Sequence, residues 1–393
     1  MAQLGNEDLE AFLAALAPRL RVAVIHGGDK TVPGAVLQQT PNCRPWRSYA
    51  TVAGAIGRSL EQLGFRDVVL LPDDRNLPAR LEAERIQLAW LNTGGMQGRD
   101  PMAHAPALLE LLGIPYIGHD PLNASRLDNK HVFKRELQAL GLPTAPFVVW
   151  APSRGTYEAE GPEARSAFGD YAGPFVVKPV SGRASVLVDV VANRLELPAA
   201  VERVHSAMRS AALVEPYLPG REFCVSVGGP VACRGRRLFQ ADGPLAFSAL
   251  ERLLDADEPI FTSMDQRPIT AERARALAPE EAALREELFD LARQIYRGFD
   301  LEFLVRVDLR MDAAGRLMVL EANPKPDLQH GNGAVNLTTL GISDQGMDYD
   351  DLVMGLVAER LQRALLGRDL GHPQLVAIES IVKAAAVAEA PRS

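Results

Sequence analysis

Four side chains that could bind a metal ion and phosphate lie close together near the end of the chain. They are Arg306, Asp308, Glu321 and Asn323. Two carboxylates and an amide oxygen are hard oxygen ligands that suit Mg²⁺, which proteins usually hold with one or two carboxylates and the phosphates of a substrate. Mn²⁺ accepts the same ligands. The arginine would then face those phosphates, whereas the alternative is a solvated hairpin face with a cross-strand Arg–Glu pair.

The segments on both sides of Asp312-Ala-Ala-Gly315 alternate apolar and polar residues, which predicts two paired strands joined by a turn. Side chains two positions apart share one face of a strand. A turn at the middle of this linker would place Arg306 opposite Glu321. Asp308 would then face Val319 across the hairpin. The sequence therefore predicts a polar face that binds metal and nucleotide.

A second group of candidates is suited to phosphate. Lys178 lies in the apolar strand 174–179, and the turn that follows contains Ser181 and Ser185. A basic group and backbone amides in such a turn can meet phosphate oxygens, although the turn does not match the Walker pattern. Lys130, at the start of a predicted helix, is a candidate for a second positive charge. The alternatives are an exposed strand-edge lysine and a helix lysine that faces water.

The segment Glu215-Pro216-Tyr217-Leu218 has the groups needed to read adenine. The Glu215 carboxylate and the Pro216 carbonyl are acceptors for the exocyclic amine, and the Leu218 amide is a donor for a ring nitrogen. Glu222 is a candidate acceptor for both ribose hydroxyls. The alternative for Glu222 is a solvated acid at the edge of a strand.

Composition excludes several classes of function. The 393 residues are 47% apolar and 23% charged, which is typical of globular proteins with two or three domains. A net charge of −8 and a pI near 5.5 argue against nucleic acid and anionic membranes as partners. The chain has three cysteines, Cys43, Cys224 and Cys233, and their spacing is not that of a metal site. The N-terminus also lacks signal-peptide features, so we expect a cytoplasmic protein.

The elements that must position these residues form three units, 1–118, 119–212 and 213–393. In the first unit, helices and strands alternate, which predicts a parallel, doubly wound sheet. Its predicted helices cover about 7–17, 47–63 and 103–112, and its strands 21–28, 67–71, 86–92 and 114–117. Gly27-Gly28 lacks the G-x-G-x-x-G spacing of nicotinamide-binding folds and instead allows a sharp turn at a strand end, where substrates commonly bind.

The other two units are predicted to be of the α+β class. The second has helices at about 127–140 and 198–210 and strands at 174–179 and 186–191. The third opens at Ala212 and contains several strands, a helix at about 279–297, the metal hairpin and a helical tail.

Taken in order, these candidates resemble the motifs of the ATP-grasp superfamily, in particular the D-alanine–D-alanine ligase-like carboxylate–amine ligases. The matching positions are Lys130, Lys178, Glu215-x-x-Leu218-x-x-x-Glu222, Arg306-x-Asp308 and Glu321-x-Asn323. The resemblance runs from about Leu88 to Leu352. It implies an ATP-grasp fold made of the second and third units, preceded by a doubly wound, parallel-sheet domain.

The resemblance also implies a role for each residue. The phosphates of ATP would be contacted by Lys130, Lys178, Ser181 and Ser185. Adenine would be contacted by Glu215, Pro216, Tyr217 and Leu218, and ribose by Glu222. Magnesium would be held by Asp308, Glu321 and Asn323. Arg306 and Lys178 would act on the reacting groups. In such ligases ATP converts a carboxylate into an acyl phosphate, which an amine attacks to give an amide, ADP and phosphate. A homodimer acting on small molecules is expected.

Two departures indicate that the chain is not a true D-alanine–D-alanine ligase. The loop after the first glycine turn lacks the acidic residue that holds the substrate amine in those enzymes. Asp327 occupies a glycine position of the metal motif, and its charge would favour an amine-bearing acceptor over a carboxylate. His330 and Asn332 are further candidates for substrate contact, and Arg252 is the nearest cation to the lid lysine of the family.

An acyl phosphate hydrolyses readily, so such a site must exclude water. Residues 181–185 and 240–265 are the candidate lids. Three other interpretations stay open: a nucleotide-binding regulatory protein without turnover, a kinase of small molecules without an amine acceptor, and D-alanine–D-alanine ligase itself.

Overall fold

The structure is a computed structural model that describes residues 5–37, 46–182, 185–255, 258–260, 270, 272–331 and 335–365. Its first unit contains α1 (Asn6–Leu16), β1 (Arg21–Gly27), α2 (Trp46–Gln62), β2 (Asp67–Asp73), α3 (Leu77–Ala83), β3 (Leu88–Asn92), α4 (His104–Leu112) and β4 (Tyr116–Ile117). The strands pair in the order β2-β1-β3-β4, all parallel. The predicted parallel sheet is thereby confirmed.

Strand β1 shows why this sheet is covered on both faces. Val22 and Val24 pack in one apolar cluster with α2, and Ala23 and Ile25 pack in another with α3 and α4. Successive side chains of a strand point to opposite faces, and the near-continuous apolar run of β1 is what a strand buried on both sides requires. The carboxyl ends of these strands carry polar residues, including Asn92 and Thr93.

The second unit contains α5 (Pro121–Asp128), α6 (Lys130–Ala139), β5 (Val148–Trp150), α7 (Pro162–Phe168), β6 (Phe175–Pro179), β7 (Asp189–Val191), α8 (Leu197–Met208) and β8 (Ala212–Pro216). Its four strands are antiparallel in the order β5-β8-β6-β7. The sequence placed 212–216 at the opening of the third unit, whereas this strand pairs with β5 and β6. Local pattern cannot assign a strand to a sheet, because partners are distant in the chain.

The helix predicted over 127–140 was wrong as one element. Asn129 adopts an extended conformation, with φ −94° and ψ 101°, and ends α5 before α6 begins. Its side chain accepts hydrogen bonds from the backbone amides of His131 and Val132, so it caps α6. Lys130 therefore occupies the first position of a new helix.

The third unit contains β9 (Glu222–Gly228), β10 (Val231–Arg234), β11 (Arg237–Gln240), β12 (Leu245–Arg252), β13 (Ala274–Ala276), α9 (Ala282–Gly298), β14 (Val305–Met311), β15 (Leu317–Asn323) and α10 (Tyr349–Leu365). Five of the strands form an antiparallel sheet in the order β13-β12-β9-β14-β15, and β10 pairs with β11. Helix α9 packs on the large sheet, and α10 shares an apolar cluster with α1 and α2 of the first unit.

The hairpin β14–β15 exists as predicted, but its predicted register was wrong. Arg306 pairs with Asn323 and Asp308 with Glu321, and a bulge follows Asp308. Leu320 is the extra residue of the bulge. Alternation fixes which side chains share a face, but the turn and the bulge set the pairing, and a bulge leaves no clear signal in the local pattern.

Candidate active site

A cleft between the second and third units brings most of the predicted nucleotide residues together. We call it the central cleft. It is lined by Lys130, Val176, Lys178, Pro179, Gly182, Ser185, Val186, Val188, Glu215, Pro216, Tyr217, Leu218, Glu222, Arg252, Ile260, Asp308, Arg310, Leu320 and Glu321. Strands β6 and β8 supply one wall, and β9, β12, β14 and β15 supply the other. The apolar members can contact a flat ring, and the charged members can contact phosphates.

The basic end of the cleft is formed by α6 and β6. The ammonium of Lys178 lies 2.6 Å from one carboxylate oxygen of Glu215, and the ammonium of Lys134 lies 2.9 Å from the other. Burial by itself would raise the pKa of Glu215, but the two ammonium groups outweigh it and hold that pKa at about 2. Glu215 is therefore ionised at neutral pH, and both of its oxygens have charged partners. The sequence did not predict Lys134.

The acidic residue Glu222 lies at the start of β9 between two arginines. One of its oxygens is 2.5 Å from Arg252, on β12, and the other is 3.2 Å from Arg310, on β14. Arg310 also donates to the hydroxyl of Tyr217 at 2.8 Å and to the carbonyl of Pro259 at 3.0 Å. From the sequence, Arg252 was a candidate only as the cation nearest to the lid lysine of the family, and Arg310 was not identified. The apolar and polar alternation of β14 placed Arg310 on the polar face, which was the available signal.

The hairpin presents its carboxylates toward the same cleft. Asp308 is 2% exposed and accepts hydrogen bonds from Arg306 at 2.9 and 3.1 Å and from Arg252 at 3.2 Å. Desolvation acts to lower the pKa of Arg306, but Asp308 outweighs it and raises that pKa. Glu321, opposite Asp308, lies 3.1 Å from the ammonium of Lys130. Each predicted metal carboxylate is thus neutralised by protein cations.

The donor chemistry of this face fits Mg²⁺ together with phosphates. Asp308 and Glu321 are cross-strand neighbours, and Asn323 lies at the end of the same strand as Glu321. Among the described residues there is no group of three or more His, Cys, Asp and Glu side chains that could hold a metal. Two carboxylates and an amide would leave coordination positions for phosphate oxygens, as Mg²⁺ sites of nucleotide enzymes usually do.

The predicted substrate residues do not all join the cleft. Asp327 is 5% exposed and accepts a hydrogen bond from the amide of Gln329 at 3.0 Å. His330 is exposed and stacks on Tyr349, with ring centroids 4.3 Å apart. Asn332 lies outside the described residues. Neither Asp327 nor His330 is among the described residues that line the central cleft, because the chain turns toward α10 after the hairpin.

The loop after the hairpin also contacts the first unit through a residue to which the sequence gave no role. Lys325 donates to the side-chain oxygen of Asn92 at 3.0 Å and lies over the ring of Tyr49, 4.9 Å from its centroid. Asn92 ends β3, and Tyr49 lies in α2 against Gly27. The carboxyl end of the parallel sheet is therefore held next to the loop that follows Asn323.

The two turn serines differ in position. Ser185 lines the cleft with a φ of 52°, whereas Ser181 is not among the described residues that line it. Residues 183–184 of the first candidate lid lie outside the described residues, as do residues 256–257 and 261–265 of the second. Among the described residues of the second candidate lid, Arg252 and Ile260 line the cleft.

Comparisons with known proteins show to which proteins this chain is similar. Residues 137–358 match the family model described as D-ala D-ala ligase C-terminus. A D-alanine–D-alanine ligase of Synechococcus sp. (strain JA-3-3Ab) is 28% identical over 326 residues, which cover 82% of this chain and 92% of the relative. A protein of Sinorhizobium fredii named "Uncharacterized protein y4sG" is 27% identical over 324 residues, covering 80% of this chain and 88% of the relative.

Solved structures of the same kind share the fold. The D-alanine–D-alanine ligase of Bacillus anthracis complexed with ATP superposes with a TM-score of 0.63 at 20% identity, covering 87% of this chain and 98% of that chain. The VanG D-Ala:D-Ser ligase of Enterococcus faecalis gives a TM-score of 0.62 at 15% identity, covering 87% and 99%. None of the described helices has the length and apolar character that crossing a membrane requires.

Proposed function

The chain belongs to the D-ala D-ala ligase C-terminus family of ATP-grasp ligases, and from this premise we propose that it joins amino acids or amino-acid-like substrates in a reaction that needs ATP and Mg²⁺. ATP would activate the carboxylate of one substrate as an acyl phosphate, and the amine of the other would attack it. The products would be an amide, ADP and phosphate.

The proposal rests on one observation: two lysines that could bind phosphate and two carboxylates that could bind a metal ion lie on facing walls of the central cleft. Lys130 and Lys178 come from the second unit, and Asp308 and Glu321 come from the hairpin of the third. Phosphoryl transfer depends on positioning and charge neutralisation more than on a protein nucleophile. A cleft with this charge pattern supplies both.

In the proposed complex, adenine lies against the segment 216–218 and ribose against Glu222. Arg310 already holds Tyr217 and Glu222 in place, so this end of the cleft is preorganised. The carboxylate of Glu215 has two lysine partners, so we assign it to holding those lysines in addition to any contact with the base. Ser185 would complete the phosphate end.

The metal ligands in the proposal are Asp308, Glu321 and Asn323. A bound Mg²⁺ would neutralise phosphate charge and orient the phosphate oxygens. Arg306, held by Asp308 at 2.9 Å, would neutralise charge on the reacting oxygens. The cations that now pair with Asp308 and Glu321 would be available for the phosphates when the carboxylates bind the metal.

The acceptor is proposed to carry an amine and a second group compatible with negative charge nearby. Asp327 supports this because it is buried in the loop that follows the metal strand, where its charge disfavours a carboxylate. D-Alanine ligation is the second candidate function, and the names of the curated relatives favour it. Lys325, which is buried beside Asn92 at the end of β3, is a cation that could receive a substrate carboxylate there.

The proposal is tested by incubating the protein with Mg-ATP and pooled amino acids, dipeptides and amines. Release of ADP and phosphate is followed while new amide masses are sought by mass spectrometry. A separate reaction contains D-alanine alone. The Asp308→Asn variant is the control and should form product at least about 10²-fold more slowly. A phosphorylated product that persists without an amide would replace the proposal with a kinase activity, and a D-alanyl-D-alanine mass would establish the second candidate.

The acceptor assignment has its own test in the Asp327→Gly variant. We expect the change to shift acceptor preference toward amino acids with a free carboxylate, while the donor stays the same. An unchanged preference would remove Asp327 from acceptor recognition. A homodimer is also proposed on the family premise, and light scattering of the purified protein decides it.

A further inference from the structure

Lys134 is a buried cation behind the central cleft that the proposed reaction does not use. It lies one helical turn after Lys130 in α6 and is 0% exposed. Its ammonium is 2.9 Å from one oxygen of Glu215, whose other oxygen is 2.6 Å from Lys178. Lys178 lines the cleft, whereas Lys134 is not among the described residues that do. One carboxylate is therefore held between a lysine in the cleft and a lysine behind it.

Lys134 also reaches the hairpin that carries the metal-type residues. Its ammonium donates to the hydroxyl of Thr144, and this hydroxyl donates to the carbonyl of Val319 at 2.8 Å. Val319 lies in β15, two residues before Glu321. The same lysine thus contacts the second unit through Glu215 and the third unit through Thr144.

The charges of this group point toward an anion. Lys134 and Lys178 share Glu215, and Lys130 pairs with Glu321 nearby, so three ammonium groups and two carboxylates leave one excess positive charge, which is costly in a buried position. Burial lowers the pKa of Lys134 below its ordinary value. Burial acts in the same direction on Lys178, but Glu215 and Glu321 outweigh it and raise that pKa. The excess charge is therefore held most firmly by the lysine that faces the cleft.

We propose that Lys134 is a positioning residue for ATP, which holds Glu215 from behind so that Glu215 fixes the Lys178 ammonium toward the phosphates. Through its hydrogen bond to Thr144, Lys134 also fixes the position of Lys178 relative to the metal hairpin. Lys134 touches no nucleotide atom in this arrangement. The inference rests on the proposed contact between Lys178 and phosphate.

The test is a double-mutant cycle on ATP binding, measured by calorimetry in the presence of Mg²⁺. The proteins are the wild type, Lys134→Met, Lys178→Met and the double variant. We expect each single change to raise the Kd for ATP about tenfold or more, and the double variant to match Lys178→Met within about twofold, because Lys134 acts through Lys178. Unchanged binding in Lys134→Met, or effects that multiply in the double variant, would overturn the inference.

The cycle separates this inference from the function on which it rests. If Lys178→Met binds ATP normally, the assignment of the cleft fails and the inference fails with it. If Lys178→Met is weakened and Lys134→Met is not, the inference alone fails. A merely structural role of Lys134 would lower the melting temperature without this non-additive effect on the Kd.

Two further variants control for folding. Lys134→Met should fold, because it leaves Glu215 and Lys178 as a balanced pair. Should it not fold, Thr144→Val replaces it in the cycle, since that change keeps the lysine but removes its link to Val319. Arg126→Met is the matched control: Arg126 pairs with Glu136 of the same helix α6, away from the cleft. It should lower stability and leave the Kd for ATP unchanged.

Discussion

The ammonium of Lys130, at the first turn of α6, lies 3.1 Å from the carboxylate of Glu321 in β15. This contact joins a residue proposed to hold phosphate to one proposed to hold Mg²⁺. Burial would raise the pKa of Glu321, but Lys130 and Lys178 outweigh it and hold the pKa at about 2. Glu321 is thus ionised at neutral pH, as a carboxylate metal ligand must be.

Asp308→Asn should strongly reduce turnover. The change keeps the shape of the side chain but removes the charge that Arg252 and Arg306 neutralise. We expect kcat to fall by about 10²–10³-fold, as loss of one charge-stabilising group does in other active sites. ADP release at increasing Mg²⁺ concentration measures it. Asp312→Asn, in the turn of the same hairpin, is the control, and full activity of Asp308→Asn would exclude Asp308 from the metal set.

Arg310→Met should weaken ATP binding without changing the chemical step. Arg310 is 4% exposed and connects Tyr217 with Glu222 at the proposed base and ribose end of the cleft. A hydrogen bond to a charged group contributes about 1.5–3 kcal/mol, so we expect the KM for ATP to rise about tenfold or more with kcat nearly constant. Arg221→Met, which removes a cation paired with Glu251, is the control. A fall in kcat at unchanged KM would contradict this role.

Glu215 should make the protein sensitive to acid. The folded protein holds the pKa of Glu215 at about 2, below its ordinary value of 4.5, so on acidification the unfolded chain binds a proton first. The stability that Glu215 contributes is fully present above pH 4.5 and is lost as the pH falls toward 2. Urea unfolding of the wild type and of Glu215→Gln at pH 7 and pH 3 measures this. The free-energy gap between the two proteins should shrink at pH 3, and a constant gap would refute the assignment.

His119 should add a separate pH dependence at milder acidity. It is 3% exposed beside Phe303, and burial lowers its pKa from 6.5 to about 4, although the charge of Asp120 acts in the opposite direction. The unfolded chain therefore binds a proton first below pH 6.5, and stability is lost from there to about pH 4. His119→Leu should unfold with a flatter pH dependence between pH 7 and pH 5. His330→Leu, at an exposed position, is the control, and equal slopes for the wild type and His119→Leu would contradict the prediction.

The candidate residues for nucleotide and metal binding could be identified from the sequence because each belongs to a short local pattern. The alternation around residues 306 and 321 put four polar groups on one strand face, and the strand before Lys178 ended in a small-residue turn. The family model confirms the ligase assignment that these patterns suggested. The individual roles of the residues stay predictions.

Other features depend on contacts between distant segments. The bulge after Asp308 moved Leu320 into the cleft and changed the cross-strand partners of Arg306 and Asp308. Arg310 and Lys134 were missed because their partners come from other strands or from another unit. An arginine on a strand and a lysine in a helix look solvated until the fold buries them.

The sequence by itself determined the parallel sheet of the first unit, the hairpin near the C-terminal end and the order of the charged residues, because these follow from local periodicity and turn chemistry. The tertiary structure decided which charges meet. Glu215 lies between two lysines, and Glu222 between two arginines, only because strands and helices from separate parts of the chain converge on one cleft. The electrostatic energy of an ion pair depends on distance and burial, and neither can be predicted from the local spacing of residues in the sequence.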